Sequence, residues 1–183
     1  MKSPKLLIVA LLAAIANCWR RPRKFALPNA GLGLINEHGI ESLIIDPGAT
    51  FPVANRYLLY ERGTALQYCE LAAGTKPPLG PSSDSPYQAG DIVMIRRLGC
   101  RPGLELGVPG GAITIDHLVA CNTDGSGKIV DLTAQGNGTF WVVGRAVQTC
   151  AATDIECAYA PCTPYEITVS NGGGTYAYAG AGT

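Results

Sequence analysis

From Gly39 onward, hydrophobic residues come in short runs, and Gly, Pro, Asn and Asp collect between them. Short alternating runs closed by turn residues are the mark of strands, not of helices. ESLIID (41–46) stops at Pro47-Gly48, and RYLLYE (56–61) stops at Arg62-Gly63. LQYCEL (66–71) opens into AAGTKPPLGPSSDSPYQAG (72–90), a segment whose prolines and glycines predict a surface loop. DIVMIRRL (91–98), ITIDHLVAC (113–121) and KIVDLTA (128–134) follow. The last two flank Asn122-Thr123-Asp124-Gly125-Ser126-Gly127, a hairpin connection with glycines for positive φ. TFWVVGRAVQ (139–148) is the longest apolar run, and Gly144 inside it predicts a bulge or a close backbone approach. DIECAYA (154–160) and YEITV (165–169) end the series. About ten strands at this spacing predict an all-β domain over residues 31–169, a small antiparallel β-barrel or a sandwich-like one.

Three strands share an opening: a turn, an aspartate, then alternating apolar residues, as in AGDIVMI (89–95), TIDHLVA (114–120) and ATDIECA (152–158). An aspartate there is expected to bond the amide two residues on and so launch the strand. That role accounts for these carboxylates without catalysis.

The two ends of the chain break the pattern. Residues 6–16, LLIVALLAAIA, are uniformly apolar and WRRPRK follows at once, so residues 1–30 read as a separate hydrophobic-basic arm. The run is too short to cross a bilayer as a helix. As an export signal it has a poor cleavage region at Ile15-Ala16-Asn17, and the positive charge behind it opposes translocation. The alternative is a helical arm ended by Pro22, laid against a neighbouring subunit. Residues 170–183, SNGGGTYAYAGAGT, read as a Gly/Tyr-rich tail, either flexible or ordered only by a partner.

Composition narrows the class. With 47% hydrophobic residues the chain is too apolar for disorder, and 23 Gly with 13 Pro disfavour helices. The net charge of zero conceals a division. Lys2, Lys5, Arg20, Arg21, Arg23 and Lys24 make the arm basic, while the remaining residues hold eight basic and fourteen acidic side chains. The arm therefore faces a different partner from the body, with Trp19, Arg20, Arg21, Arg23 and Lys24 as its candidate contacts. A basic arm with an aromatic would also suit single-stranded nucleic acid. An acidic body repels a duplex, so nucleic acid is not the expected partner. In the long loop, Lys76, Pro77, Pro78 and Tyr87 are candidate contacts.

Chemistry is sparse. The seven cysteines, Cys18, Cys69, Cys100, Cys121, Cys150, Cys157 and Cys162, include no CxxC pair and stand beside only two histidines, so no metal site is expected. Reduced thiols acting as small apolar side chains are the expectation, with a disulfide among Cys150, Cys157 and Cys162 as the alternative. His38 and His117 each adjoin an acid, Glu37 and Asp116, but sequence neighbours on a strand point to opposite faces and make no dyad. GVPGGA and NGGGT lack the lysine and context of phosphate loops. No catalytic residue, cofactor or small-molecule substrate is expected, and the chain does not read as an enzyme.

In order and spacing, four segments resemble the phage capsid cement, or head decoration, proteins. Ala89-Gly90-Asp91 opens a strand ending near Leu98-Gly99, and Gly111-Ala112-Ile113 precedes an Asp-led strand. Asp124-Gly125 leads to Gly127-Lys128, and Val143-Gly144-Arg145-Ala146 precedes the last Asp-led strand. The resemblance spans residues 54–165. It implies a non-enzymatic virion protein that binds the outside of a phage head, bridges major capsid protein subunits and forms a homo-oligomer, a trimer above all. Assembly would take place in the host cytoplasm. The alternatives are a secreted or envelope-anchored β-sandwich binding module and a tail or fibre component.

Overall fold

The computed structural model describes residues 39–48, 57–82, 87–100 and 102–170, together with the backbone of 176–178. The chain divides into two compact units, residues 1–30 and 31–183, and the description concerns the second. Against about ten expected, the described residues form eleven strands: β1 (Ile40–Ile45), β2 (Leu59–Arg62), β3 (Tyr68–Leu71), β4 (Gly80–Pro81), β5 (Ile92–Arg96), β6 (Glu105–Gly107), β7 (Leu118–Cys121), β8 (Ile129–Asp131), β9 (Gly138–Ala146), β10 (Cys157–Val169) and β11 (Tyr176–Tyr178). The only helical piece among the described residues is a 3-10 turn over Leu132–Ala134, capped by Asp131.

The strands form two curled, antiparallel-rich sheets, both barrel-like. The first runs β4-β2-β3-β1-β5. It curls until Ser82 bridges Ile95 and the Leu98 amide reaches the Leu79 carbonyl, which brings the two ends of the sheet together. One pair in it, β1 with β3, is parallel. The second sheet runs β11-β10-β9-β7-β8, with β6 on the other side of β10. Beyond β6, Pro109 bridges Ile129 of β8, so this sheet too curls back on itself. All-β architecture is thus as the turn-and-strand pattern requires.

Burial follows the alternation. Leu43 and Ile45 of β1 and Val93 and Ile95 of β5 point into the first core with Leu58, Tyr60 and Cys69. A second core joins Val119, Cys121, Ile129, Val143, Ala146, Cys157 and Tyr159 to Leu59, Ala72 and Leu98 of the first sheet's segments. The hairpin between β7 and β8 adds the link, since Leu59 donates to the Gly127 carbonyl at 2.7 Å and Gly127 to that of Ala72 at 3.2 Å.

Several expectations are corrected. The segment 72–90 is not wholly a surface loop: Pro78, Leu79, Gly80, Pro81 and Ser82 are buried, because this stretch supplies β4 and closes the first sheet. The run 113–121 is a strand only from Leu118. Asp116 takes a positive φ of 68° and turns the chain there. The runs 154–160 and 165–169 merge into one strand, β10, with a register shift between Pro161 and Tyr165. In the tail, Tyr176–Tyr178 pairs with Val169–Ile167 of its own chain, a β-prone Tyr-Ala-Tyr run filling an open strand edge. The strand-opening aspartates reach backward, not forward: Asp91 accepts from the Gln88 amide at 2.8 Å and Asp154 from that of Ala151 at 2.7 Å.

Candidate functional site

Among the sequence-derived contact residues, Trp19, Arg20, Arg21, Arg23 and Lys24 lie outside the described residues, as does His38. In the long loop, Lys76 and Pro77 are exposed, whereas Pro78 is buried and Tyr87 packs against the first core. Lys76 Nζ is held by Glu70 Oε1 at 3.0 Å and the Arg62 carbonyl at 3.0 Å, and it lies 3.8 Å from Glu61 Oε1. That lysine therefore ties β2 to β3. Glu61 is itself buried, which pushes its carboxyl up, although the Ala73 amide and Lys76 work against this.

His117 has a carboxylate partner, but from far along the chain. Its Nδ1 lies 2.8 Å from Asp131 Oδ2 and 2.9 Å from Thr133 Oγ1. Thr133 spends its hydroxyl proton on Asp131 Oδ1 at 2.6 Å, so both neighbours of Nδ1 accept and Nδ1 carries the proton. Burial pushes the Asp131 carboxyl up, yet bonds from Thr133, the Thr114 amide and His117 outweigh it and leave the group below its ordinary range. Asp131 also caps the 3-10 turn. The cluster is a clamp joining residues 114–117 to β8.

The cysteines correct the reduced-thiol expectation at one place. Cys150 and Cys157 form a disulfide with their Cα atoms 5.9 Å apart. Both are buried, yet every residue between them, from Ala151 to Glu156, is exposed. The loop is stapled at its base and turned by the Asp154–Ala151 bonds, and Ile155 on it is 76% exposed. Ile115 and Val147 are exposed on neighbouring segments. Cys69 and Cys121 do behave as apolar side chains, since burial pushes each thiol up to about 12.

A second surface feature escaped the sequence reading altogether. Alternation along β1 places Glu41 on the core side with Leu43 and Ile45, and it is fully buried. Arg62 Nη2 bonds its Oε1 at 2.6 Å, and Arg97 Nη1 stands 3.4 Å from its Oε2. A buried carboxylate requires such compensation. Arg97 in turn borders a cleft of about 340 Å³ lined by Ile40, Arg96, Leu104, Glu105 and Pro161 among others. Arg96 Nη1 meets Glu105 Oε2 at 3.2 Å across it, and Leu104 is 60% exposed. The signal was present in the strict alternation of Glu41, Leu43 and Ile45, which places a charge where only a paired one is tolerated.

Chemically, this surface offers guanidinium groups beside apolar walls, a stapled acidic loop with an apolar residue, and scattered exposed hydrophobics such as Leu66, Ile92 and Met94. Among the described residues no group of three His, Cys, Asp or Glu is placed to hold a metal ion. No family model matches the chain, and no curated protein is similar to it.

Proposed function

We propose that this protein is a structural component of a phage-type virion that binds the outer surface of the capsid and bridges major capsid protein subunits as a homo-oligomer. The observation that carries the reading is the rigid presentation of large apolar side chains. Ile92, Met94, Leu104 and Ile155 are exposed on strands, turns and a stapled loop above well-packed cores, and such residues on a preorganised surface lose little entropy on docking. The segments that resemble capsid cement proteins support it from another side, because each occupies a structural turn or strand: Asp91 opens β5, Gly125 and Gly127 shape the β7–β8 hairpin, and Gly144 sits at the bulge of β9. Many copies on a repeating shell convert modest contacts into avidity. The basic arm, with Trp19 and Arg20 to Lys24, supplies a contact to acidic capsid surface in this reading.

The disulfide favours a second reading, an exported or envelope-anchored binding module, since such bonds persist in oxidising compartments. Co-sedimentation of the full-length protein with undecorated heads of the parent phage tests the first. Saturable binding at a fixed ratio to the major capsid protein is the expected outcome. Absence of binding, with intact mass revealing loss of the leading residues from exported material, would transfer the function to the second reading.

A further inference from the structure

Two features of this surface complement each other. The stapled loop carries Asp154, Ile155 and Glu156 with no basic residue between its cysteines. The cleft carries Arg96 and Arg97 beside Ile40, Leu104 and Pro161. Its charged lining residues, Arg96 and Arg97 against Glu105, give the cleft one net positive charge. A cleft of about 340 Å³ lies at the small end of ligand-sized pockets and suits one or two side chains rather than a cofactor.

We propose that the Cys150–Cys157 loop of one copy docks into the Arg96/Arg97 cleft of a second copy, with Ile155 against Leu104 and the flanking carboxylates toward the arginines. This deepens the homo-oligomer part of the proposed function by naming the contact. A copy does not satisfy itself in this way, because one ladder separates the two features. β10 leaves the loop at Cys157, where it pairs with Gly107, passes Tyr159 opposite Glu105, and reaches the cleft only at Pro161. The extended chain from Glu156 to Pro161 spans about 16 Å. The loop emerges at one end of the β6–β10 ladder and the cleft opens at the other. Such an arrangement is head-to-tail, so it forms a ring when the rotation between copies closes. The staple and the Asp154 turn hold the loop in one shape before contact, which limits the entropy lost on docking.

The contact is tested on the oxidised full-length protein by light scattering after size-exclusion chromatography over a concentration series. Wild-type protein is expected to assemble. Ile155→Asp and Arg96→Glu, both at exposed positions, are each expected to weaken assembly by roughly tenfold or more, as loss of an interface anchor does. An equimolar mixture of these two variants is expected to give heterodimers and nothing larger, because one retains only a working cleft and the other only a working loop. Arg96→Glu combined with Glu156→Arg is expected to assemble again. A wild-type chain that remains monomeric at about 100 μM, or assembly that Ile155→Asp and Arg96→Glu leave unchanged, overturns the proposal. Capsid binding is read separately by co-sedimentation, so failure of one does not imply failure of the other.

Discussion

Asp131 shows how a single side chain can hold several segments. Its carboxylate accepts from the Thr114 amide at 3.0 Å, the Thr133 amide at 2.9 Å, the Thr133 hydroxyl and His117. Asn in its place retains one acceptor oxygen and turns an amide NH2 toward donors, so Asp131→Asn is expected to cost about 2 kcal/mol at pH 7. The sign of the pH dependence follows from the lowered folded-state pKa. The charged form is favoured in the fold, so the contribution is complete above the ordinary value of 3.8 and fades as pH falls below it. Urea unfolding of both proteins at pH 7 and pH 3 checks this, with the gap expected to shrink at the lower pH. Gly144 is a second instance. An added Cβ would fall on the Ala160 carbonyl oxygen, and the register of β7 on β9 skips beside it. Both features named by its position in an apolar run, the bulge and the close approach, are present.

Among the elements, the 150–157 loop depends most on a covalent bond. Its strand neighbours are well placed without it: Ile113 and Cys150 exchange backbone hydrogen bonds at 2.9 Å, and Val147 donates to Ala158. Closing so short a loop restricts the unfolded chain by about 2 kcal/mol on the loop-entropy model. Cys150→Ser with Cys157→Ser is therefore expected to lower unfolding free energy by about that amount while the far-ultraviolet circular dichroism of the sheets persists. A loss of sheet signal at rest would show that the bond holds more than the loop. β4 is the opposite case, a two-residue strand whose position depends on Gly80. Its φ of 155° lies at the edge of what side chains tolerate, and any Cβ would meet the Arg96 carbonyl.

Taken whole, the described residues between 39 and 170 are one body with two curled sheets. Leu59, Ala72 and Leu98 sit in the same cluster as Val119, Val143 and Tyr159, and the Leu59–Gly127 hydrogen bond crosses between the sheets. Shared packing of this kind makes opening cooperative. Native-state hydrogen exchange is expected to give the amides of Tyr60 in β2 and Val143 in β9 the same opening free energy. Separate values, with one sheet releasing its amides first, would show two independent folding units.

Hydrophobic period, turn residues and composition were enough to establish an all-β body, most strand positions, the β7–β8 hairpin and the irregularity at Gly144, because each leaves its mark on the local residue pattern. What needed three dimensions was every pairing between distant residues. His117 meets Asp131 across fourteen positions, and Glu41 finds Arg62 at the end of β2 and Arg97 just after β5. The burial of Pro78 and the folding of Tyr176–Tyr178 onto β10 belong to the same class. Local preference states which residues suit a strand or a turn. Which strands become neighbours, and so which charges are buried together and which loops and clefts remain open, depends on the closure of the sheets, and a linear pattern does not encode that directly.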